Sequence, residues 1–232
     1  MEIKKSLLFS ASKKRWNDTL IASSFYDLRM GDRGCYPVFE ENNKAGLAEV
    51  YNKMIDHALN QNVDCLILVH DDVILEEEPI PKLERLFDDY DLVGVAGTSK
   101  VELKSPALWH LMGGGFGGGN LHGKVCHIIE EIGSEYGKSH PAYFGPYPRR
   151  VVMIDGVFMA LNRKMLESGV RFDEDCPSKF HFYDLNYSLS AHLVGLKVGV
   201  GDILITHESP GLREYTDEWR SGEQYFLNKY GK

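Results

Sequence analysis

The sequence has no apolar run approaching the ~20 residues of a membrane span, no CxxC pair and no long block of Lys and Arg. The first absence excludes a spanning helix, and the amino-terminal stretch MEIKKSLLFSAS does not alter this. Its apolar centre, residues 7–9, is too short for a signal peptide and suits a first strand. The second absence argues against structural zinc. Cys35, Cys65, Cys126 and Cys176 are widely spaced, which fits a reduced, cytoplasmic chain, with Cys65 a buried thiol inside an apolar run. The third argues against nucleic acid as a partner. Acidic residues outnumber basic ones by 34 to 26, for a net charge of −8, and KKRW at 13–16 is too short a patch to track a phosphate backbone. What remains is ordinary globular composition, 43% hydrophobic and 26% charged over 232 residues, enough for a substantial core.

The stretch that organises the chain is VDCLILVHDDVIL, residues 63–75. Five unalternating apolar residues, 65–69, predict a strand buried on both faces, as in a parallel sheet covered by helices. Around it the expected order is a strand at 7–10, a helix at 18–28, a strand at 35–39, a helix at 45–60, the central strand, a helix at 80–87 and a strand at 92–96. In the 45–60 segment Leu47, Val50, Tyr51, Met54, Ile55, Ala58 and Leu59 mark one helical face, with Asn42 or Asn43 available to cap it. This alternation implies a mainly parallel sheet. The middle, 99–150, holds GGGFGGG, several histidines and a Pro/aromatic segment, and reads as loops and short strands beside the sheet. Regular structure resumes with a strand at 151–154, a strand and helix start at 158–166, and a helix at 182–194 with Phe182, Leu185, Leu189, His192 and Leu193 on one side. Short strands at 198–200 and 203–206 and a helical tail from 214 complete the chain, with no linker dividing two domains.

His70-Asp71-Asp72 ends the central strand, where ligands bind in parallel α/β sheets. Adjacent carboxylates there need a partner, and a divalent cation is one; a turn-capping role is the alternative. In extended chain His70 and Asp72 face one way and Asp71 the other. Asp184 opens the 182–194 helix, either as a first-turn acid stabilised by the helix dipole or as a general base. His207 ends an apolar run and suits a metal ligand or a surface hydrogen bond. Asp155-Gly156 is either a simple turn or an acid facing a sugar. GGGFGGG matches GxGxxG trivially, without a clear strand before it or a strong helix after it, and is better read as a lid or close backbone approach beside Trp109 and His110.

In this order the segments AGLAEVYNKMIDHA, LILVHDDV, IDGVFMALNRKML, RFDED, FYDLNYSLSAHLVGLKVGV and ITHESPG, spanning 45–211, resemble the GT-A glycosyltransferases of the family 2 type. The likeness is in particular to the small bacterial glycosyltransferase-like group related to the streptomycin-biosynthesis protein F domain. The resemblance implies an α/β, GT-A-like single domain, with a mainly parallel central sheet flanked by helices and an irregular acceptor-side insertion around 99–150. Within it, 1–98 would be the nucleotide-binding half, 99–211 the acceptor-binding and catalytic half, and 212–232 a tail. The implied activity is inverting, metal-dependent transfer of a sugar from a nucleoside-diphosphate donor, a UDP-sugar foremost, to a glycan or small-molecule acceptor. By the same resemblance Asp72 and His207 would hold Mn²⁺ or Mg²⁺, Asp71 would contact the ribose, and Asp184 would be the base. Ser10, Glu40, Asn42, Lys44, Asn52 and Asp155 would line the donor site, and Trp109 and His110 the acceptor site. The chain departs from the family's acidic pattern twice: His70 stands where many members have a first acid, and Tyr183 where they have Glu. Two other readings are a nucleotide-sugar-binding protein without turnover and a nucleotidyltransferase. The latter would carry a Gly-rich basic loop after the first strand, where this chain has SASKKRWND.

Overall fold

In the computed structural model, which describes residues 1–101, 106, 109, 119–129, 138–208 and 214–231, the first strands follow the apolar runs. They are β1 (Ser6–Ala11), β2 (Cys35–Glu40) and β3 (Cys65–Val69), the last buried at every position. Between them lie α1 (Leu20–Asp27), capped by the Thr19 side chain, and α2 (Leu47–Asn60). The predicted face of α2 is the buried one, but its start differs. Gly46 is the N-cap residue, while the Asn43 amide bonds both backbone groups of Ala45 and shapes the turn before the helix. Neither Asn42 nor Asn43 caps it. Asn42 takes a left-handed turn conformation, φ 53°.

The chain then leaves the first sheet for a second one and returns repeatedly. After β3 come β4 (Val73–Leu75) and α3 (Ile80–Leu86), whose first turn holds Pro81. The expected strand at 92–96 is two strands, β5 (Leu92–Gly94) and β6 (Ala96–Thr98), broken at Val95 because each half pairs in a different sheet. The middle of the chain, expected to be irregular, contributes the longest strands among the described residues. These are β7 (Leu121–Ile129) and β8 (Lys138–Gly145), an antiparallel ribbon with a bulge at Gly123. Next are β9 (Arg149–Arg150), β10 (Met153–Ile154), β11 (Phe158–Asn162) and α4 (Arg163–Glu167). The carboxyl-terminal part holds α5 (Tyr183–Leu193), β12 (Val198–Val200), β13 (Ile205–His207) and α6 (Asp217–Tyr230).

The first sheet runs β2-β1-β3-β11-β5-β12-β9. Only β11 and β9 oppose the other five strands, so it is mainly parallel. The second runs β10-β6-β7-β13-β4, with β8 on β7. Alternate residues of β3 enter different cores: Cys65, Ile67 and Val69 one, Leu66 and Leu68 the other. This two-sided burial is why the run shows no polar alternation. Helix α5 lies between both cores and buries Tyr183, Leu185, Asn186, Tyr187, Ser188, Leu189 and Ala191. Leu193, assigned to its inner face from the sequence, is instead 64% exposed, because a one-sided stripe is the wrong template for a helix packed on two sides. Among the described residues no helix is long and apolar enough to cross a membrane.

Candidate functional site

Two of the passages between sheets supply acids. Residues 70–72 connect β3 to β4, and 155–157 connect β10 to β11. The passages touch, since His70 N–H donates to Val157 O at 3.2 Å. His207 arrives from β13, opposite Val73 of β4, and Glu208 N–H bonds Asp72 O at 2.9 Å. Asp184 is brought in by the first turn of α5, where Gly156 N–H donates to its Oδ2 at 2.8 Å.

His70, Asp72 and His207 form a candidate metal centre, with one ligand atom from each lying within 4.8 Å of the others. His207 Nε2 is 3.2 Å from Asp72 Oδ1, an oxygen sealed from solvent that accepts no well-directed hydrogen bond from the described residues. That separation suits two ligands of one ion, since cis donors ~2.1 Å from an octahedral centre stand about 3 Å apart. An unsatisfied, buried carboxylate oxygen facing two imidazoles therefore fits a divalent cation. Burial opposes the charge on Asp72, but His207 and then His70 outweigh it and hold the carboxyl below its ordinary value. Burial likewise opposes charge on His207, and Asp72 reverses this, raising its pKa. His70 is pushed down, by burial first and by His207 second, which favours the neutral ring that keeps a lone pair for a ligand.

Asp71 turns the other way from Asp72, though both lie in the turn between β3 and β4 rather than in extended chain. Its Oδ2 accepts a short hydrogen bond from the Ser12 hydroxyl, and its carbonyl receives Leu20 N–H at 3.1 Å. Ser12 also accepts from Lys14 N–H, and its backbone bonds Glu40 O and Asn43 N–H, gathering the ends of β1, β2 and β3 at one place. Asp155 receives Val157 N–H on Oδ1 at 2.9 Å and lies close enough to Asp184 to raise its pKa. Burial is the larger cause, and together they push the Asp184 carboxyl up to about 7. A carboxylate with that affinity can exchange protons near neutrality.

The remaining expected donor and acceptor residues are placed unevenly. Glu40, Asn42 and Lys44 are exposed around the mouth formed by β1 and β2. Ser10 is fully buried in the body of β1, with its hydroxyl unpartnered among the described residues. Ser12, two residues on, is the serine that reaches the acidic cluster, and the period of two along a strand could have found it. The Asn52 amide is spent on the loop after α4, bonding Phe172 O at 2.9 Å, Phe172 N–H at 2.8 Å and Glu174 Oε1 at 2.7 Å. Trp109 is buried against Phe144, ring centroids 5.6 Å apart, rather than offering an open wall. His110 and residues 113–118 of GGGFGGG lie outside the described residues. Tyr183, noted in the sequence only as a departure, is inside the site, its hydroxyl 2.7 Å from His70 Nε2.

The streptomycin biosynthesis protein StrF of Streptomyces griseus is 28% identical over 192 residues, covering 81% of this chain. The chain spans about 62% of the length of that relative. Among solved structures, A197 from STIV is similar at 16% identity, covering 88% of this chain and 86% of its own, with a TM-score of 0.49. The inositol-1-phosphate CTP transferase from T. maritima is similar at 13% identity, covering 97% of each chain, with a TM-score of 0.40. A family model described as "Glycosyltransferase like family" matches residues 18–230, and the chain belongs to that glycosyltransferase-like family.

Proposed function

We propose that this protein is an inverting, divalent-metal-dependent glycosyltransferase, moving a sugar from a nucleoside diphosphate, a UDP-sugar foremost, to a hydroxyl of a glycan or small-molecule acceptor. The observation that carries the reading is the convergence of His70, Asp72 and His207 beside Asp184, whose carboxyl is pushed up to about 7. His70, Asp72 and His207 would hold Mn²⁺ or Mg²⁺; when bound, the ion supplies positive charge against the leaving diphosphate. Asp71, fixed by Ser12 where three strands end, would take the ribose, with Glu40, Asn42 and Lys44 around the nucleotide. Asp155 would face the transferred sugar. Asp184, oriented by the Gly156 N–H, would remove the proton of the acceptor hydroxyl as that oxygen attacks the anomeric carbon. One base and one displaced diphosphate complete the reaction without a covalent sugar–enzyme bond.

The test is a panel of UDP-, GDP- and dTDP-sugars with Mn²⁺ or EDTA, following release of nucleoside diphosphate. Release from one donor, abolished by EDTA and by Asp72→Ala, is the expected result. Metal-dependent nucleotide binding without any release, after acceptor screening, would instead favour a binding protein. Absence of metal-dependent binding would return His70-Asp71-Asp72 to the role of a capped strand end.

A further inference from the structure

The two residues at which the chain departs from the family's acidic pattern are 113 positions apart in sequence, yet they meet: His70 Nε2 lies 2.7 Å from the Tyr183 hydroxyl. Tyr183 is 3% exposed, and a phenol withdrawn from water needs hydrogen-bond partners. Its place depends on Gly156, because a Cβ there would overlap the Tyr183 hydroxyl. On the other side the Tyr51 ring packs edge-on against it, with ring centroids 5.6 Å apart.

We infer that Tyr183 is a positioning residue that fixes the ring and tautomer of His70 so that His70 presents Nδ1 to the cation held with Asp72 and His207. This rests on the metal-site reading above. A neutral imidazole has one N–H and one lone pair. When Nε2–H donates to the Tyr183 oxygen, the lone pair is on Nδ1. The Tyr183–His70 pair then points the free lone pair of His70 at the metal centre. Metal-binding histidines are commonly oriented through their second nitrogen in this way, and losing the orienting partner costs roughly 10–100-fold in metal affinity. A neutral ligand at position 70 is thus held in a fixed direction by its Tyr183 partner.

The test is Mn²⁺ binding followed by electron paramagnetic resonance, with Co²⁺ absorption as a report on ligand geometry. It uses the wild type, Tyr183→Phe, His70→Ala and the double variant, each checked for a native near-ultraviolet spectrum. Tyr183→Phe is expected to weaken Mn²⁺ binding roughly 10–100-fold and to alter the Co²⁺ spectrum. In the His70→Ala background the same change is expected to cost nothing further, since Tyr183 acts only through His70. Unchanged affinity in Tyr183→Phe, or an equal loss with and without His70, overturns the inference while leaving the metal site standing. Failure of the wild type itself to bind Mn²⁺ removes the metal reading first, and this inference with it.

Discussion

A single carboxyl sets the expected pH behaviour. Asp184, raised by burial and by Asp155 to about 7, carries a proton in mildly acidic solution and cannot accept one from an acceptor hydroxyl. Turnover under saturating donor should therefore rise with pH through about 7, and Asp184→Asn should lose roughly 10²–10⁴-fold in rate while nucleotide binding persists. The same shift has a stability cost of defined sign. The folded state holds this proton more tightly than the unfolded chain, whose carboxyl has the ordinary value of 3.8, so its contribution falls as pH rises from about 4 to about 7. Asp184→Asn escapes that loss. Urea titration at pH 8 should find the variant more stable than wild type, by on the order of a few kcal/mol, with the difference shrinking at pH 5. At this scale the sequence was partly legible. The opposite aim of Asp71 from His70 and Asp72 was expected from strand alternation and is present, but a turn after β3 produces it rather than extended chain. The bond between His70 and Tyr183 was not, because nothing local in either segment indicates a partner so distant in the chain.

The most legible element is α2, whose apolar face repeats with the helical period and is the face it buries. Its polar side misled. Asn52 was assigned to the nucleotide by resemblance, yet its amide ties α2 to residues 172 and 174 through three hydrogen bonds. Asn52→Ala should destabilise the fold by about 1–3 kcal/mol, since it leaves Phe172 N–H and O without their partner, and a shift in the urea midpoint measures it. Helix α5 was harder to place on its faces because it touches two cores, so the usual division into apolar and polar sides is absent. The strand at 92–96 was readable as extended chain but not as two strands. A run of Leu, Val, Gly, Val and Ala has the same pattern whether it pairs in one sheet or crosses between two.

Across the whole molecule, the paired sheets explain why the middle of the sequence was obscure. Strands β7 and β8 are held by pairing with each other and with β6 and β13, partners separated from them in sequence, rather than by any strong apolar alternation of their own. The candidate metal centre draws on the junction of both sheets, with His70 leaving the first and Asp72 and His207 beside the paired β4 and β13 of the second. Mn²⁺ at 100 times its dissociation constant should stabilise the fold by about 2.7 kcal/mol. In a thermal scan this is a rise of about 5–10 °C for a chain of this size, absent in Asp72→Ala and reversed by EDTA.

That junction also makes the ion a rivet. Pulling the second sheet away from the first would separate Asp72 and His207, at the paired β4 and β13, from His70 at the end of β3, so parting the sheets and releasing the ion are one event. Amide exchange at His70 and Glu208, whose N–H groups extend the β3–β11 and β13–β4 ladders on either side of the ion, should slow together when the ion binds and quicken together when it leaves. An ion-starved molecule should then come open first along this junction, which limited proteolysis with and without Mn²⁺ would show.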